Sequence, residues 1–381
     1  LPDKAFTSLQ QLEYLYLANN KLTVTPRQLP NTLSIADFAG NHLTEIFALT
    51  FGHKPKLSKM KGLQYLDLSN NNLTKVPEGL PANIVVLQLG RNRITSISRH
   101  SLNRIRNLEY LLLQHNRITA GRVHKEAFGK LRKLHTLHIF NNPLGKIPAV
   151  LPGRLSSLML LHNAILKIGA DDFASAYHLT DLNLSHNRLR SARLHRLAFG
   201  KLRRLERLDL SANQLSLLPS GLPPSLLALR AQGNQISQLP TDALLHLSSL
   251  RELHLHHNLL TIGKIAPGVW RNVPNLKLLD LGHNDLSYVP PDLPESLEYI
   301  YLQNNRITTI TSNSFISTPN IKVIALRSNR LTSAGVRKGS FGGLRYLQVL
   351  DLTGNPEYIN VFLHSTTQGT AGSNRTTSRQ G

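Results

Sequence analysis

The strongest constraint on this chain is a short pattern that recurs along nearly all of it. Residues 205–215 read LERLDLSANQL and fit the template L-x-x-L-x-L-x-x-N-x-L, in which an asparagine follows two alternating leucines. One such copy cannot bury its leucines alone, so successive copies must stack into an elongated array. The pattern therefore predicts a scaffold that binds other molecules, not a catalyst.

The fixed asparagine marks about 15 copies and sets the distance between them. From Asn71 onward the steps are short, medium and long in rotation, and the rotation starts again at Asn142, Asn213 and Asn284. Three copies therefore form one larger repeating unit. The marking residues are Asn20, Asn41, Asn71, Asn92, Asn116, Asn142, Asn163, Asn187, Asn213, Asn234, Asn258, Asn284, Asn305, Asn329 and Asn355.

These copies predict an α/β-type leucine-rich-repeat solenoid of horseshoe form. Each L-x-L segment alternates, which is typical of a short strand, and the stacked strands form a parallel sheet on the concave side. The asparagine is expected to bond backbone groups of the turn. The proline-rich convex side is expected to be irregular, polyproline-like or 3-10, with little α-helix. Recurring aromatics are interpreted as a packing spine: Phe173, Phe199, Trp270, Phe315 and Phe341.

The array is predicted to span residues 1–356, with one irregularity and a polar tail. The step from Asn41 to Asn71 breaks the rotation, because a repeat near residues 57–62 is shortened by about twenty residues. We expect residues 47–62 to be the least well packed part. Residues 357–381 are rich in Gly, Ser and Thr and are predicted to be disordered. The first residues, LPDKAFTSLQQL, do not resemble a signal peptide, and we expect them to be the second half of a repeat.

Composition narrows the class of partner. The chain has no cysteine, which excludes disulfides and thiolate sites, and its formal net charge of +22 favours polyanionic partners. Sulfated glycosaminoglycan, nucleic acid and acidic membrane all fit that charge, although no nucleic-acid recognition motif is present. No apolar run reaches the length of a membrane span. No nucleophile or phosphate-loop motif occurs, so no enzyme activity, metal or cofactor is predicted.

The short-medium-long rotation, with L-P-x-x-L-P in its short member, resembles the small leucine-rich proteoglycans of the extracellular matrix. Longer strings at residues 41–55, 108–118, 158–189 and 293–307 carry the same resemblance. It implies a secreted matrix protein that binds fibrillar collagen and restrains cell proliferation and migration. The four-cysteine N-terminal cluster and the cysteine-bridged ear repeat of that family have no counterpart in this chain.

Polar and aromatic residues at strand positions form the candidate partner-binding surface on the concave side. Tyrosine and arginine tend to dominate interface energy, and a mixed trough of this kind suits a collagen rod. The alternative is that each position is simply solvated. The candidates are Tyr14, Tyr16, Tyr65, Asp67, Tyr110, His138, Asp209, Arg230, Glu252, His254, Asp280, Tyr299 and Tyr301.

A column of histidines precedes the marking asparagines at His115, His162, His186, His257 and His283. Neighbouring copies are expected to bring His162 near His186, and His257 near His283, within about 5 Å. A zinc site or a pH switch is one interpretation, and a tolerated turn pair is the favoured one. No carboxylate or cysteine column completes a metal shell.

Basic residues gather in the longer copies and form a candidate ridge for heparan sulfate, with a solvated convex face as the alternative. They are Arg122, Lys125, Lys130, Arg132, Lys133, Arg188, Arg190, Arg193, Arg196, Lys201, Arg203 and Arg204. N-glycosylation sequons begin at Asn72, Asn183 and Asn374. The competing functions are the ectodomain of a leucine-rich-repeat receptor and an intracellular interaction scaffold. The first calls for a membrane span, and the second is favoured by the absence of cysteine.

Overall fold

The computed structural model describes residues 1–52, 60–359 and 375–376. The chain divides into two compact units. The first comprises Leu1–Arg188 and Leu197–Leu205, and the second comprises Leu189–Arg196 and Glu206–Gly381. Each unit consists of very short strands joined by turns and bends, as the repeating pattern predicts.

Parallel pairing in chain order organises each unit into one sheet layer. In the first unit the strands are β1 (Tyr14–Tyr16), β2 (Ile35–Asp37), β3 (Tyr65–Asp67), β4 (Val86–Gln88), β5 (Tyr110–Leu112), β6 (Thr136–His138), β7 (Ser157–Met159) and β8 (Asp181–Asn183). In the second they are β9 (Arg207–Asp209), β10 (Ala228–Arg230), β11 (Glu252–His254), β12 (Leu278–Asp280), β13 (Tyr299–Tyr301), β14 (Val323–Ala325), β15 (Val349–Asp351) and β16 (Arg375–Thr376).

The leucines of the pattern build the core. In the copy at residues 205–215, Leu205, Leu208, Leu210 and Leu215 are all buried. The middle residue of a strand is buried while its two neighbours face outward, because successive side chains of a strand point to opposite sides. Each buried leucine contributes about 1.5–3 kcal/mol relative to exposure, so the stacked leucines supply most of the driving force.

The side opposite the strands contains turns and 3-10 helices, and no α-helix occurs in the part of the chain that the structure describes. The 3-10 helices are Ala48–Phe51, Ala120–Arg122, Ser191–Arg193, Ile262–Lys264 and Val269–Asn272. The predicted fold class is therefore confirmed.

The proline-rich segments are more sharply turned than the predicted extended or polyproline form. Each P-x-x-L-P segment carries a residue of positive φ at its third position, as at Gly79 and Gly221. In one copy that position holds Val150, with φ of 46°. A β-branched residue is disfavoured in this left-handed region, so this turn is locally strained.

The marking asparagines tie each turn to the preceding copy, which confirms the role predicted for them. The Oδ1 atom of Asn234 accepts the Leu215 N–H at 3.0 Å. Its Nδ2 atom donates to the Leu210 carbonyl of the preceding copy at 3.0 Å and to the Ala231 carbonyl of its own turn at 3.0 Å. Asn234 is itself buried. One side chain thus satisfies backbone groups of two copies that would otherwise lie unpaired in the core.

The recurring aromatics form the predicted packing spine. Phe173 and Phe199 are buried and stacked, with ring centroids 6.0 Å apart, and Phe315 and Phe341 repeat this arrangement at 6.0 Å. Trp270 is also buried. These rings stabilise the copies from within, so they do not form a binding stripe.

The irregular step between Asn41 and Asn71 does not interrupt the sheet. Strand β2 pairs directly with β3 in parallel, and the Asn71 Oδ1 atom accepts the Leu43 N–H at 3.1 Å. Residues 53–59, within the stretch 47–62 predicted to be loosely packed, lie outside the described residues. Phe51, before residues 53–59, and Met60, after them, are both buried. In the tail that is predicted to be disordered, residues 360–374 and 377–381 also lie outside the described residues. Strand β16, which lies within that tail, pairs with β15.

Replacing Asn234 with alanine is expected to destabilise the chain by about 2–3 kcal/mol or more, because several buried backbone groups lose their partner. The free energy of unfolding in urea measures the change. Asn20→Ala is the matched control. Asn20 holds the same place in its copy but is exposed, and it donates to the Leu17 and Ala18 carbonyls. Equal losses in the two variants would contradict a role that depends on burial.

Candidate functional site

The first and third residues of the strands form the outward side of each sheet, which we call the strand face. In the first unit it is rich in tyrosine. Tyr14 is 54% exposed, Tyr16 is 65% exposed and Tyr110 is 38% exposed. These rings stand on hydrogen-bonded backbone, so they are presented to solvent with little freedom to lose on binding. The strand face of the first unit is therefore a preformed aromatic surface.

Two further candidates in this unit are held by neighbours. The Gln88 side chain donates to the Tyr65 hydroxyl at 2.6 Å. The Asp67 carboxylate accepts the Ser69 N–H at 2.9 Å and the Ser69 hydroxyl at 2.6 Å. Burial raises the pKa of Asp67 above its ordinary value despite these bonds. Burial also raises the pKa of Tyr65, and the Asp67 charge adds to that effect.

The strand face of the second unit is charged and contains imidazole. Arg230 lies between Asp209 and His254 in register, and His254 lies beside Asp280. Asp280 in turn lies beside Tyr301, and Glu252 and Tyr299 occupy first positions of their strands. Burial raises the pKa of Tyr301, and the Asp280 charge contributes. The remaining predicted strand-face residue, His138, is half-buried in the first unit, and burial lowers its pKa.

The histidine column lies at a special backbone position. The residue before each marking asparagine has a positive φ of 51–71° in every copy, including His115 and His162. Asparagine, glycine and histidine tolerate this left-handed conformation better than most residues, which explains the turn-pair interpretation. The predicted pairing is also confirmed. His162 stacks on His186 with centroids 4.1 Å apart, and His257 stacks on His283 at 4.0 Å.

A candidate metal-binding group lies outside this histidine column. His254, His256 and Asp280 place one ligand atom each within 4.8 Å of one another. The sequence prediction considered only the column before the asparagines, whereas His254 and Asp280 lie in strands. Sequence reasoning also missed His256. The sequence does contain a signal for this group. His254 and His256 are two residues apart and so lie on one side of an extended chain, and Asp280 holds the position of His254 in the next copy.

All twelve predicted polyanion-binding residues are exposed. Nine belong to the first unit: Arg122, Lys125, Lys130, Arg132, Lys133, Arg188, Lys201, Arg203 and Arg204. Three belong to the second: Arg190, Arg193 and Arg196. Arg122 and Arg193 are the last residues of 3-10 helices that hold equivalent places in successive three-copy repeats. Lys264 ends the equivalent 3-10 helix of the next three-copy repeat, and sequence reasoning missed it. A continuous ridge through both units remains a prediction.

Some of these cations have polar partners. Lys201 Nζ lies 3.0 Å from the Asp171 carboxylate, and Lys133 Nζ donates to the Asn107 side-chain oxygen at 3.0 Å. Both lysines are exposed, so each pair contributes about 1 kcal/mol or less. Such weak pairs leave the cations available to a polyanion.

The sequons differ in their setting. Asn72 is half-buried beside the marking Asn71. Asn183 is the last residue of β8 on the strand face, and its Oδ1 atom accepts the Ser185 N–H at 2.9 Å. Asn374 lies outside the described residues. A glycan on Asn183 would cover that end of the strand face in the first unit.

Within the described residues, no helix has both the length and the apolar character needed to cross a membrane.

Comparison with known proteins decides the family. A family model described as leucine rich repeat matches residues 82–144, 153–215, 224–286 and 295–356. The chain is 40% identical to podocan-like protein 1 of Mus musculus over 452 aligned positions, covering 95% of this chain and 81% of the mouse protein. It is also 40% identical to podocan of Mus musculus, covering 94% and 74%. The chain belongs to the small leucine-rich proteoglycans.

Lumican of Homo sapiens, 36% identical over 70% of this chain and 79% of its own length, supports the same assignment. Podocan and lumican are secreted matrix proteins without enzyme activity, and their likeness supports an extracellular matrix leucine-rich-repeat proteoglycan. The 452 aligned positions exceed the 381 residues of the chain, so the mouse relative has residues inside the aligned region with no counterpart here.

Solved structures agree on the fold. A leucine-rich-repeat protein of Leptospira interrogans superimposes with a TM-score of 0.72, at 23% identity, and covers 93% of both chains. Identity at this level carries the architecture alone.

Acidification is expected to destabilise the chain through histidines whose pKa is lowered, chiefly by burial. The folded chain disfavours their charged form, so it binds fewer protons than the unfolded chain as pH falls through about 6.5. Their stabilising contribution is complete above that pH and is lost below it, toward the folded pKa values. The residues are His115, His138, His162, His256 and His283.

The urea midpoint should therefore fall between pH 7.5 and pH 5.5, and His162→Asn with His283→Asn should reduce that fall. Asparagine fills the same left-handed position at Asn70 and Asn304, so the exchange suits the backbone. His42→Asn, at an exposed position outside the column, is the control. An unchanged pH dependence in the double variant would refute the assignment to these rings.

Proposed function

We propose that the chain binds fibrillar collagen in the extracellular matrix through its strand face, and thereby restrains cell proliferation and migration. The observation that supports this most is the exposure of Tyr14 and Tyr16 on β1 and of Tyr110 on β5, all on the strand face of the first unit. Membership of the small leucine-rich proteoglycans supports the location and the general function of matrix binding.

The chemistry of the strand face fits an extended proline-rich rod. Collagen winds three polyproline-II-like chains, which expose ring faces and backbone carbonyls along their length. Aromatic-lined surfaces recognise polyproline helices in other systems, because the partner arrives preformed and loses little entropy. Tyrosine also offers a hydroxyl that can donate to a collagen carbonyl. Tyr14, Tyr65 and Tyr110 hold the first position of every second strand from β1 to β5, so they would present repeated contacts to one rod.

Replacing Tyr16 with serine is expected to weaken collagen binding by about 2 kcal/mol, roughly thirtyfold in Kd, if this ring is a hot spot. Surface plasmon resonance on immobilised fibrillar collagen measures the change. Tyr177→Ser is the matched control, because Tyr177 belongs to the same unit and is 54% exposed outside the strands. Circular dichroism establishes that both variants fold.

Equal affinity of the Tyr16 and Tyr177 variants would contradict collagen binding through the strand face. This holds whether the two affinities are both unchanged or both weakened to the same extent. A proliferation assay with the same variants then tests whether the effect on cells follows collagen affinity.

A second candidate function is heparan sulfate binding by the exposed basic residues of the longer copies. The net charge of +22 favours it, and so does the weakness of the exposed Lys201–Asp171 ion pair and of the Lys133–Asn107 hydrogen bond. Sulfated chains would be attracted by many cations at once, and such attraction falls with ionic strength as the Debye length shortens.

Replacing Lys130 and Arg132 with serine is expected to lower the salt concentration at which the chain elutes from heparin. The change removes two neighbouring cations from one long copy. The control is Lys21→Ser with Lys61→Ser, which removes the same charge from exposed positions in the same unit. Elution of the unmodified chain near ordinary buffer salt would argue against the site, and so would equal shifts in the two double variants.

A further inference from the structure

Three side chains on the strand face of the second unit converge in a way that neither the repeat nor collagen binding requires. His254 ends β11, Asp280 ends β12 beside it, and His256 follows His254 by two residues on the same side. One ligand atom from each lies within 4.8 Å of the other two. All three side chains are half-buried, so they are shielded but open to solvent.

The backbone beneath these residues is fixed by the sheet. The Ala231 N–H donates to the His254 carbonyl at 2.9 Å, and the Leu255 N–H donates to the Asp280 carbonyl at 2.8 Å. The Gly233 N–H likewise donates to the His256 carbonyl at 3.0 Å. Only side-chain torsions therefore need to adjust when a ligand arrives, which lowers the cost of assembling the site.

Neighbouring groups orient the candidate donor atoms. Glu252 Oε2 lies 3.4 Å from His254 Nε2, which leaves His254 Nδ1 for a ligand. His256 Nδ1 lies 2.8 Å from His257 Nδ1, which leaves His256 Nε2. The Gly282 N–H holds Asp280 Oδ1 at 2.9 Å, and the second carboxylate oxygen remains. Such outer contacts around imidazole and carboxylate are typical of metal sites.

We propose that His254, His256 and Asp280 bind one zinc ion on the strand face of the second unit. Two imidazoles and a carboxylate are a common zinc donor set, whereas magnesium and calcium prefer oxygen donors alone. Donors around tetrahedral zinc lie roughly 3.3 Å apart, so the three atoms approach by up to about 1.5 Å through side-chain rotation. This proposal goes beyond collagen binding and does not depend on it.

Charge at the site is consistent with a dication. Asp280 and Glu252 supply two carboxylates, and the nearest cation in register is Arg230, on the other side of His254 from Asp280. The ion would therefore lie toward Asp280. Three protein donors leave one tetrahedral position for water or for a donor group of a bound partner.

Calorimetric titration of chelator-treated full chain with zinc chloride tests the proposal. One zinc ion per chain is expected, and Asp280→Asn and His256→Asn should each weaken its affinity by at least about tenfold. Asp280→Asn keeps the acceptor for the Gly282 N–H, so the turn is preserved. X-ray absorption at the zinc edge should show two imidazoles per ion, with Zn–N distances of about 2.0–2.1 Å.

His138→Asn is the matched control, because His138 is also a third-position histidine but has Leu112 and Met159 as its neighbours in register. The affinity of this variant for zinc should equal that of the unmodified chain. Unchanged affinity in Asp280→Asn would overturn the proposal. So would a loss in His283→Asn that Asp280→Asn does not share, since that would place zinc on the stacked pair. Absence of one-to-one binding would overturn it as well.

Discussion

The hydrogen bonds of one asparagine side chain in each copy, buried in most copies, are the interaction on which the rest of the fold depends. Its carboxamide can accept from one backbone group and donate to two or more others in the same place. The bonds of Asn234 join its own turn to the preceding copy. Stacking and turning are thus coupled, because the group that closes a turn also fixes the spacing to the neighbour.

The same turn explains where the histidines lie. Closing the chain around the asparagine places the preceding residue in the left-handed region in every copy. Few residue types accept that conformation without strain, so the position favours asparagine, glycine and histidine. When histidine fills it in two neighbouring copies, the rings are brought together and stack, as His257 and His283 do at 4.0 Å. Their contact is a consequence of backbone geometry, whereas the convergence of His254, His256 and Asp280 is not.

The sequence predicts what is repeated and fails on what occurs once. Leucine spacing predicts the strands and the core, and the fixed asparagine predicts the turn, because the same residues recur at the same positions in every copy. His254 and Asp280 hold the same strand position in neighbouring copies, but the site also needs His256, and the column before the asparagines contains none of these three residues. The left-handed conformation in the proline segments was not predicted for another reason. Proline fixes its own φ, but it does not determine the φ of Val150 two residues later.

The charges of the chain are divided between surfaces rather than spread evenly. The basic residues of the longer copies are exposed outside the strands, while Asp209, Glu252 and Asp280 lie on the strand face of the second unit. A polyanion would therefore be attracted to the loops, and these carboxylates would favour a partner with neutral or basic groups there. Zinc bound beside Asp280 would offset two of these carboxylates. The ion would then weaken that preference without altering the loops, because its added charge is screened beyond about 8–10 Å.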